Sequence, residues 1–176
     1  MTKLVSYFFQ SIFIYLFFLI IKVIGLRLSR NLFSLLFVII GPIFKSKKII
    51  EKNLNIYSSN ISNFKKSEII KSMWKNYGMT FVEYIYLKKF RNNKDHIKIE
   101  GEENLKNLLE NNTSAIFISG HFANFELMSM EITKKNIPLA TIYRPLNNYF
   151  LNPFMEYLRK TYICKNQIKK GINGVR

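Results

Sequence analysis

The start of the chain is dominated by a long apolar run. Residues 4–21 carry no charge and consist mainly of Phe, Ile, Leu and Tyr, and their number reaches the roughly 17–25 residues that a membrane-spanning helix requires. A cleaved signal peptide has a shorter apolar run and an Ala-x-Ala-like site, and no such site follows here. Residues 1–26 are therefore predicted to form an uncleaved N-terminal transmembrane helix.

The charges around this run predict its orientation. Only Lys3 precedes it, whereas Lys22, Arg27 and Arg30 follow it. By the positive-inside rule, the bulk of the chain should face the cytoplasm from the inner membrane.

A second uncharged run, residues 31–44, is shorter and is interrupted by Gly41-Pro42. Its length favours a helix that lies in the membrane interface over a second span, with a helix buried in the domain as the remaining alternative. Several lysines follow between residues 45 and 52, either against anionic headgroups or as a solvated charge run. Residues 27–60 are accordingly predicted to be an interfacial helix and a basic linker.

The remaining pattern, residues 61–176, predicts a globular α/β domain. Apolar residues recur at spacings of three and four over residues 67–88, which is typical of an amphipathic helix. Strands then alternate with helices, which favours a mainly parallel sheet flanked by helices. The predicted strands are residues 96–100, 115–119 and 138–143, and the predicted helices are residues 102–110, 122–135 and a segment from Asn147 or Asn152 to about Tyr162.

The net charge and the cysteine content limit which binding partners, disulfides and metal sites are expected. The formal net charge of +16 suits an anionic membrane, a phosphate-bearing lipid or an acidic carrier protein. Nucleic acid is not an expected partner, because the chain has no RNA-binding signature, zinc pattern or basic-aromatic repeat. Cys164 is the single cysteine, so we expect a buried thiol, no intrachain disulfide and no cysteine metal cluster. No cofactor and no metal are predicted.

The candidate chemistry lies where an apolar run meets a predicted helix. His121 follows Gly120, and Glu126 comes five residues later. If His121 lies on the turn before the helix and Glu126 one turn inside it, the carboxylate can orient the imidazole and leave its other nitrogen free to take a proton. Gly120 would permit a sharp turn. Taken alone, a histidine with this spacing is more often a helix cap or a structural residue than a catalytic one, and His96 is predicted to be structural.

Several strings resemble one enzyme family. They are Ser-Gly-His-Phe-Ala-Asn-Phe-Glu-Leu at 119–127, Tyr-Arg-Pro-Leu-Asn-Asn at 143–148, Lys-Asn-Leu at 52–54 and Ile-Glu-Gly-Glu-Glu-Asn-Leu at 99–105. Together with the N-terminal anchor, they resemble the late acyltransferases of lipid A biosynthesis, the lauroyl and myristoyl transferases, over essentially the whole chain. The family usually has Gly at the position of Ala123 and Trp at that of Phe125.

The resemblance implies a glycerolipid-acyltransferase-like fold and O-acyl transfer from acyl carrier protein to a hydroxyl of a lipid A precursor. His121 would be the general base and Glu126 would hold the imidazole in its tautomer. Arg159 best matches a functional arginine of the family. The implied substrate-binding positions are Gly120, Asn124 and Arg144.

The family continues well past the positions that match residues 171–176, so the chain is expected to be incomplete at its C-terminal end. Two other functions stay open. One is another phospholipid or glycolipid acyltransferase, a group that often uses Asp where this chain has Glu126. The other is a non-catalytic, membrane-bound module that binds a lipid or a carrier protein.

Overall fold

The computed structural model describes residues 2–44 and 47–171, so Lys45 of the basic linker and the C-terminal residues 172–176 lie outside it. The described chain is mostly helical with one small parallel sheet. The helices are α1 (Thr2–Ile24), α2 (Leu26–Phe44), α3 (Lys47–Tyr57), α4 (Asn63–Glu83), α5 (Leu87–Asn92), α6 (Glu102–Glu110), α7 (Glu126–Lys134) and α8 (Asn152–Tyr162), with a short 3₁₀ turn at Tyr84–Tyr86; the strands are β1 (Ala140–Tyr143) and β2 (Asn166–Lys169).

The chain forms two compact units. One contains residues 1–17 and 86–176 as far as they are described, and the other contains residues 18–85. The predicted boundaries at residues 26 and 60 separate a membrane anchor, a linker and a globular domain, and they are based on expected roles and not on contacts between residues. These boundaries stay predictions.

The unit of residues 18–85 is built on α2 and α4. Phe81 of α4 stacks on Phe33 and on Phe18, with ring centroids 5.7 and 5.1 Å apart. Gly78 lies directly against the Phe33 carbonyl, where an added Cβ would approach the oxygen to 2.2 Å. The helices can approach this closely because Gly78 has no side chain. The run of residues 31–44 is therefore one side of a packed helix pair.

The opposite side of α2 is apolar and exposed. The exposed residues recur every three or four positions, which places them on one face of the helix. They are Leu28, Leu32, Leu35, Ile39 and Ile43, and we call this set the α2 stripe. By length and composition, Lys3–Ile24 and Leu26–Ile43 could each cross a membrane.

The other unit contains the sheet. Strands β1 and β2 are parallel, with Ala140 opposite Asn166 and Tyr143 opposite Lys169, and α8 forms the crossover between them. Helices α5, α7 and α8 are joined by Arg91, whose Nη1 donates to Thr133 Oγ1 at 3.1 Å and to the Tyr162 carbonyl at 3.0 Å. Buried Leu87, Met130 and Leu158 fill the space between the elements.

The predicted fold class is confirmed in part. The chain is α/β and its small sheet is parallel, but the larger sheet that was expected is not shown, since the described residues contain only β1 and β2 as paired strands. Residues 96–100 and 115–119 are irregular, and Ile116 and Ile118 are 90% and 91% exposed. A strand needs a neighbour to receive its backbone hydrogen bonds, and neither segment has one in the described part of the chain.

The helices were predicted better than the strands. Helix α6 has the predicted bounds, and α8 begins at Asn152 as one of the two alternatives stated. Helix α4 begins earlier than predicted, because Ser62 caps it by accepting a hydrogen bond from the Lys65 amide at 3.3 Å. Cys164 is buried as predicted, with its Sγ 2.9 Å from the Leu139 carbonyl oxygen.

The close approach at Gly78 yields a prediction. Gly78→Ala should lower the free energy of unfolding by about 1–3 kcal/mol, because the new methyl group overlaps the Phe33 carbonyl. In an exposed helix the same change would raise stability by about 0.5–1 kcal/mol. Urea denaturation in detergent measures the difference, with Ser72→Ala on the exposed side of α4 as the control. A stabilising Gly78→Ala would contradict the packing.

Candidate active site

A buried ion pair joins the beginning of α7 to the end of α8. Glu126 is the first residue of α7, and Arg159 lies in the last turn of α8. The Arg159 guanidinium donates from Nε to Oε1 and Oε2 of Glu126 at 2.9 and 3.0 Å, and from Nη2 to Oε1 at 2.6 Å. Such multiple charge-assisted hydrogen bonds hold both side chains in one orientation.

The surroundings make this pair strong. The side chains of Arg159 and Glu126 are only 16% and 7% exposed, so water screens their attraction weakly. Each also lies at the helix end that suits its charge, because the carboxylate is near the positive N-terminus of α7 and the guanidinium is near the negative C-terminus of α8. Two of the predicted catalytic residues, 33 positions apart in sequence, therefore meet in the fold.

His121 has different surroundings from this pair. It is exposed, and its ring contacts the Phe125 ring with centroids 4.2 Å apart. Within the described residues no hydrogen bond joins the imidazole to the Glu126 carboxylate, whose oxygens accept from Arg159 instead. The roles of His121 as base and of Glu126 as its partner stay predictions.

The turn before α7 differs from the expected one. Its positive backbone φ lies at Ala123 (46°), whereas Gly120 does not have a positive φ. An alanine in this left-handed region costs roughly 1–2 kcal/mol relative to its preferred conformations, a cost that glycine avoids. The irregular turn also explains why α7 begins at Glu126 and not at Phe122. Asn124, a predicted substrate-binding residue, is buried here, and its carbonyl accepts the Leu127 amide at 3.1 Å.

Arg144 directly follows β1 and lines a cavity of about 730 Å³. Two asparagines hold the loop that carries it. The Asn152 side-chain oxygen accepts the Leu146 amide at 2.8 Å, and the buried Asn148 donates from Nδ2 to the Tyr7 carbonyl at 2.8 Å. The side chain of Arg144 is exposed, as a ligand-binding group must be.

The sequence offered no clear signal for a second polar cluster, which fixes the end of β1 to α8. The Tyr143 hydroxyl donates to Glu156 Oε1 at 2.8 Å, and Asn152 Nδ2 donates to the same oxygen at 2.9 Å. Burial and this hydrogen bond raise the pKa of Tyr143 to about 12. The Tyr143 and Asn152 hydrogen bonds lower the pKa of Glu156, so the carboxylate stays ionised. Only one feature of the sequence indicates the cluster: Asn152 and Glu156 are spaced so that they lie on one face of a helix.

His96 occupies a structural position. Its ring stacks on Phe90 with centroids 4.7 Å apart, and its Nε2 lies 3.3 Å from Glu131 Oε1. Burial lowers the pKa of His96, and the nearby Lys134 ammonium lowers it further. Among the residues that the structure describes, no group of three His, Cys, Asp or Glu side chains could hold a metal ion.

The chain matches one family model over residues 2–170, and that model is described as bacterial lipid A biosynthesis acyltransferase. The match covers all six predicted site residues. No curated protein and no solved structure matches the chain.

The buried pair yields the second prediction. Glu126→Gln and Arg159→Gln should each lower the free energy of unfolding by about 3–5 kcal/mol, because each leaves a buried charge without its partner. The double variant should lose clearly less than the sum, as a double-mutant cycle by urea denaturation would measure. Glu100→Gln, in the exposed Lys98–Glu100 pair, should change stability by less than about 1 kcal/mol. Additive losses in the cycle would contradict the coupling.

Proposed function

The chain belongs to the bacterial lipid A biosynthesis acyltransferase family, and on that premise we propose that it moves a fatty acyl chain from acyl carrier protein to a hydroxyl of a lipid A precursor. Membership supports acyl transfer of this type as the general activity. The observation that carries the finer proposal is that the family match includes His121, Glu126 and Arg159 in one continuous stretch.

In the proposed reaction His121 is the general base. One imidazole nitrogen takes the proton of the acceptor hydroxyl while the oxygen attacks the thioester carbonyl carbon. The carbon–sulfur bond then breaks, and the carrier thiolate leaves and takes the proton back from the imidazolium. The products are an ester on the acceptor and a free carrier thiol. The exposed position of His121 supports this role, because a base must reach a substrate that arrives from outside.

Glu126 and Arg159 position the base in this proposal. The carboxylate orients the imidazole, and Arg159 holds the carboxylate through the three hydrogen bonds described above. A contact between the imidazole and this carboxylate requires the irregular segment of residues 113–122 to bring His121 toward Glu126 when the substrate is bound.

The reaction can be tested with the full chain in detergent, labelled acyl carrier protein and a lipid A precursor. His121→Ala should lower kcat by about 10²–10⁴-fold, which is the usual contribution of a general base. His96→Gln is the matched control, because it replaces the chain's other histidine outside the proposed site, and it should keep the rate within a few-fold. Equal rates for the parent protein and His121→Ala would refute the assignment.

The same assay separates the proposal from its rivals. Transfer from acyl-coenzyme A to a glycerophospholipid, without transfer from acyl carrier protein, would favour a phospholipid acyltransferase. Binding of lipid without turnover in any of these mixtures would favour the non-catalytic module.

The proposed place of action is the inner membrane, with the catalytic residues on the cytoplasmic side. Two features of the chain support this location. The α2 stripe is a continuous exposed apolar face, whereas the exposed apolar residues of an ordinary soluble surface are scattered singly. Helix α1 exposes a second such face at Val5, Phe9, Phe13 and Leu16, residues spaced by three and four positions. Lysines and arginines follow both runs, as expected on the cytoplasmic side.

Spin labels on α2 can test this location. With the protein in lipid vesicles, a nitroxide at Ile39→Cys or Leu35→Cys should be more accessible to oxygen than to a water-soluble nickel complex, because oxygen concentrates in the hydrocarbon. A label at Ser72→Cys on α4 should show the reverse preference. Cys164 is buried and should not react. Nickel accessibility along the whole α2 stripe would contradict the membrane contact.

A further inference from the structure

The cavity beside Arg144 lies at the carboxyl end of the parallel sheet. Arg144 follows β1 and Lys170 follows β2, and both line the cavity. The parallel pairing brings the two positions together, since the Lys170 amide donates to the Tyr143 carbonyl at 2.9 Å. Ligands of α/β proteins bind outside the carboxyl ends of parallel strands, so the topology itself favours a binding site here.

The third wall of the cavity comes from the N-terminal helix. Lys3, Leu4 and Tyr7 of α1 line it. This part of α1 is fastened to the Arg144 loop at two places. Asn148 donates to the Tyr7 carbonyl at 2.8 Å, and the Tyr15 hydroxyl donates to the Phe150 carbonyl at 2.9 Å. Lys3 is thus held on the same side of the unit as Arg144 and Lys170.

The charges of this cavity have one sign. Lys3, Arg144 and Lys170 line it, and no Asp or Glu stands among the described residues that surround it. None of the three cations forms a salt bridge in the part of the chain that the structure describes, whereas the neighbouring Lys169 approaches Glu156 Oε1 at 3.6 Å. Three cations around one space repel each other unless an anion lies between them.

The remaining lining indicates which anion. Tyr7, Tyr149 and Asn147 bring groups that can donate neutral hydrogen bonds, and the Arg144 guanidinium can bind two oxygens of one phosphate. Leu4, Pro145 and Leu146 add apolar surface at the same cavity. The apolar face of α1 at Val5, Phe9 and Phe13 belongs to the helix that forms this wall. A charged headgroup attached to hydrocarbon matches both kinds of surface.

We propose that Lys3, Arg144 and Lys170 form a pocket that binds the phosphate group of a lipid. That the bound lipid is the acyl acceptor rests on the proposed function. That the pocket binds a phosphate group rests on the three cations that line it. Helix α1 then has a second role beside membrane contact, because its first turn completes the pocket. This use of Lys3 requires the start of α1 to lie against the globular unit, as the Asn148 and Tyr15 hydrogen bonds place it. Helix α1 then contacts the membrane along its apolar face and does not cross it, contrary to the expectation from the sequence.

Binding can be measured by calorimetry with the full chain in dodecyl maltoside, which carries no phosphate. The probe is dihexanoyl phosphatidic acid. Arg144→Gln, Lys170→Gln and Lys3→Gln should each weaken binding at least tenfold. Lys165→Gln removes an equal charge from an exposed position outside the pocket and should change the affinity less than twofold. All four positions are exposed, so folding should be preserved, and circular dichroism checks this.

Inorganic phosphate and dihexanoyl glycerol are the comparison probes. The lipid phosphate should bind at least tenfold more tightly than either. Equal binding of inorganic phosphate would overturn the lipid assignment, and unchanged binding by the three pocket variants would overturn the pocket. His121→Ala should bind phosphatidic acid as the parent protein does. If the acyl-transfer assay shows no activity, the binding result still tests the pocket. If the pocket variants bind normally while acyl transfer is also normal, only the pocket proposal is refuted.

Discussion

The Glu126–Arg159 ion pair is the constraint on which the rest of the site depends. Two buried charges are tolerated only while they neutralise each other, so the start of α7 and the end of α8 must stay together. The segment that carries His121 enters α7 at Glu126, and the loop that carries Arg144 enters α8, whose last turn contains Arg159. One buried interaction therefore sets the relative position of both candidate functional segments.

The ion pair and His121 have different roles in the proposed reaction. The Glu126 carboxylate accepts three hydrogen bonds from the Arg159 guanidinium, and these bonds fix its orientation. In the proposed reaction the exposed His121 transfers the proton, and the buried pair supplies orientation. The second polar cluster has an equivalent structural role, since Tyr143 and Asn152 converge on Glu156 and fix the strand end from which Arg144 projects.

The apolar helices suit the acyl chains of a lipid substrate, and the cationic pocket suits its phosphate group. Helix α1 contributes both an exposed apolar face and the Lys3 wall of the pocket, so one element would contact the hydrocarbon and the headgroup. Such an arrangement lets an acceptor keep its acyl chains in the membrane while its phosphate reaches the protein. The exposed Val5 and Phe9 side chains would be unfavourable in water and favourable against lipid.

Local patterns were enough to predict most of the helices, the buried cysteine and the family, but not α3, which lies in the predicted basic linker. Helix α6 follows from its own amphipathic period, and the motif around His121 is read directly from the sequence. The sheet and the partner of Glu126 were decided only by tertiary structure. Residues 115–119 have the composition of a buried strand, yet a strand exists only beside a neighbour. Likewise, Glu126 bonds to Arg159, which is 33 positions away in sequence, because the fold brings the last turn of α8 to the start of α7.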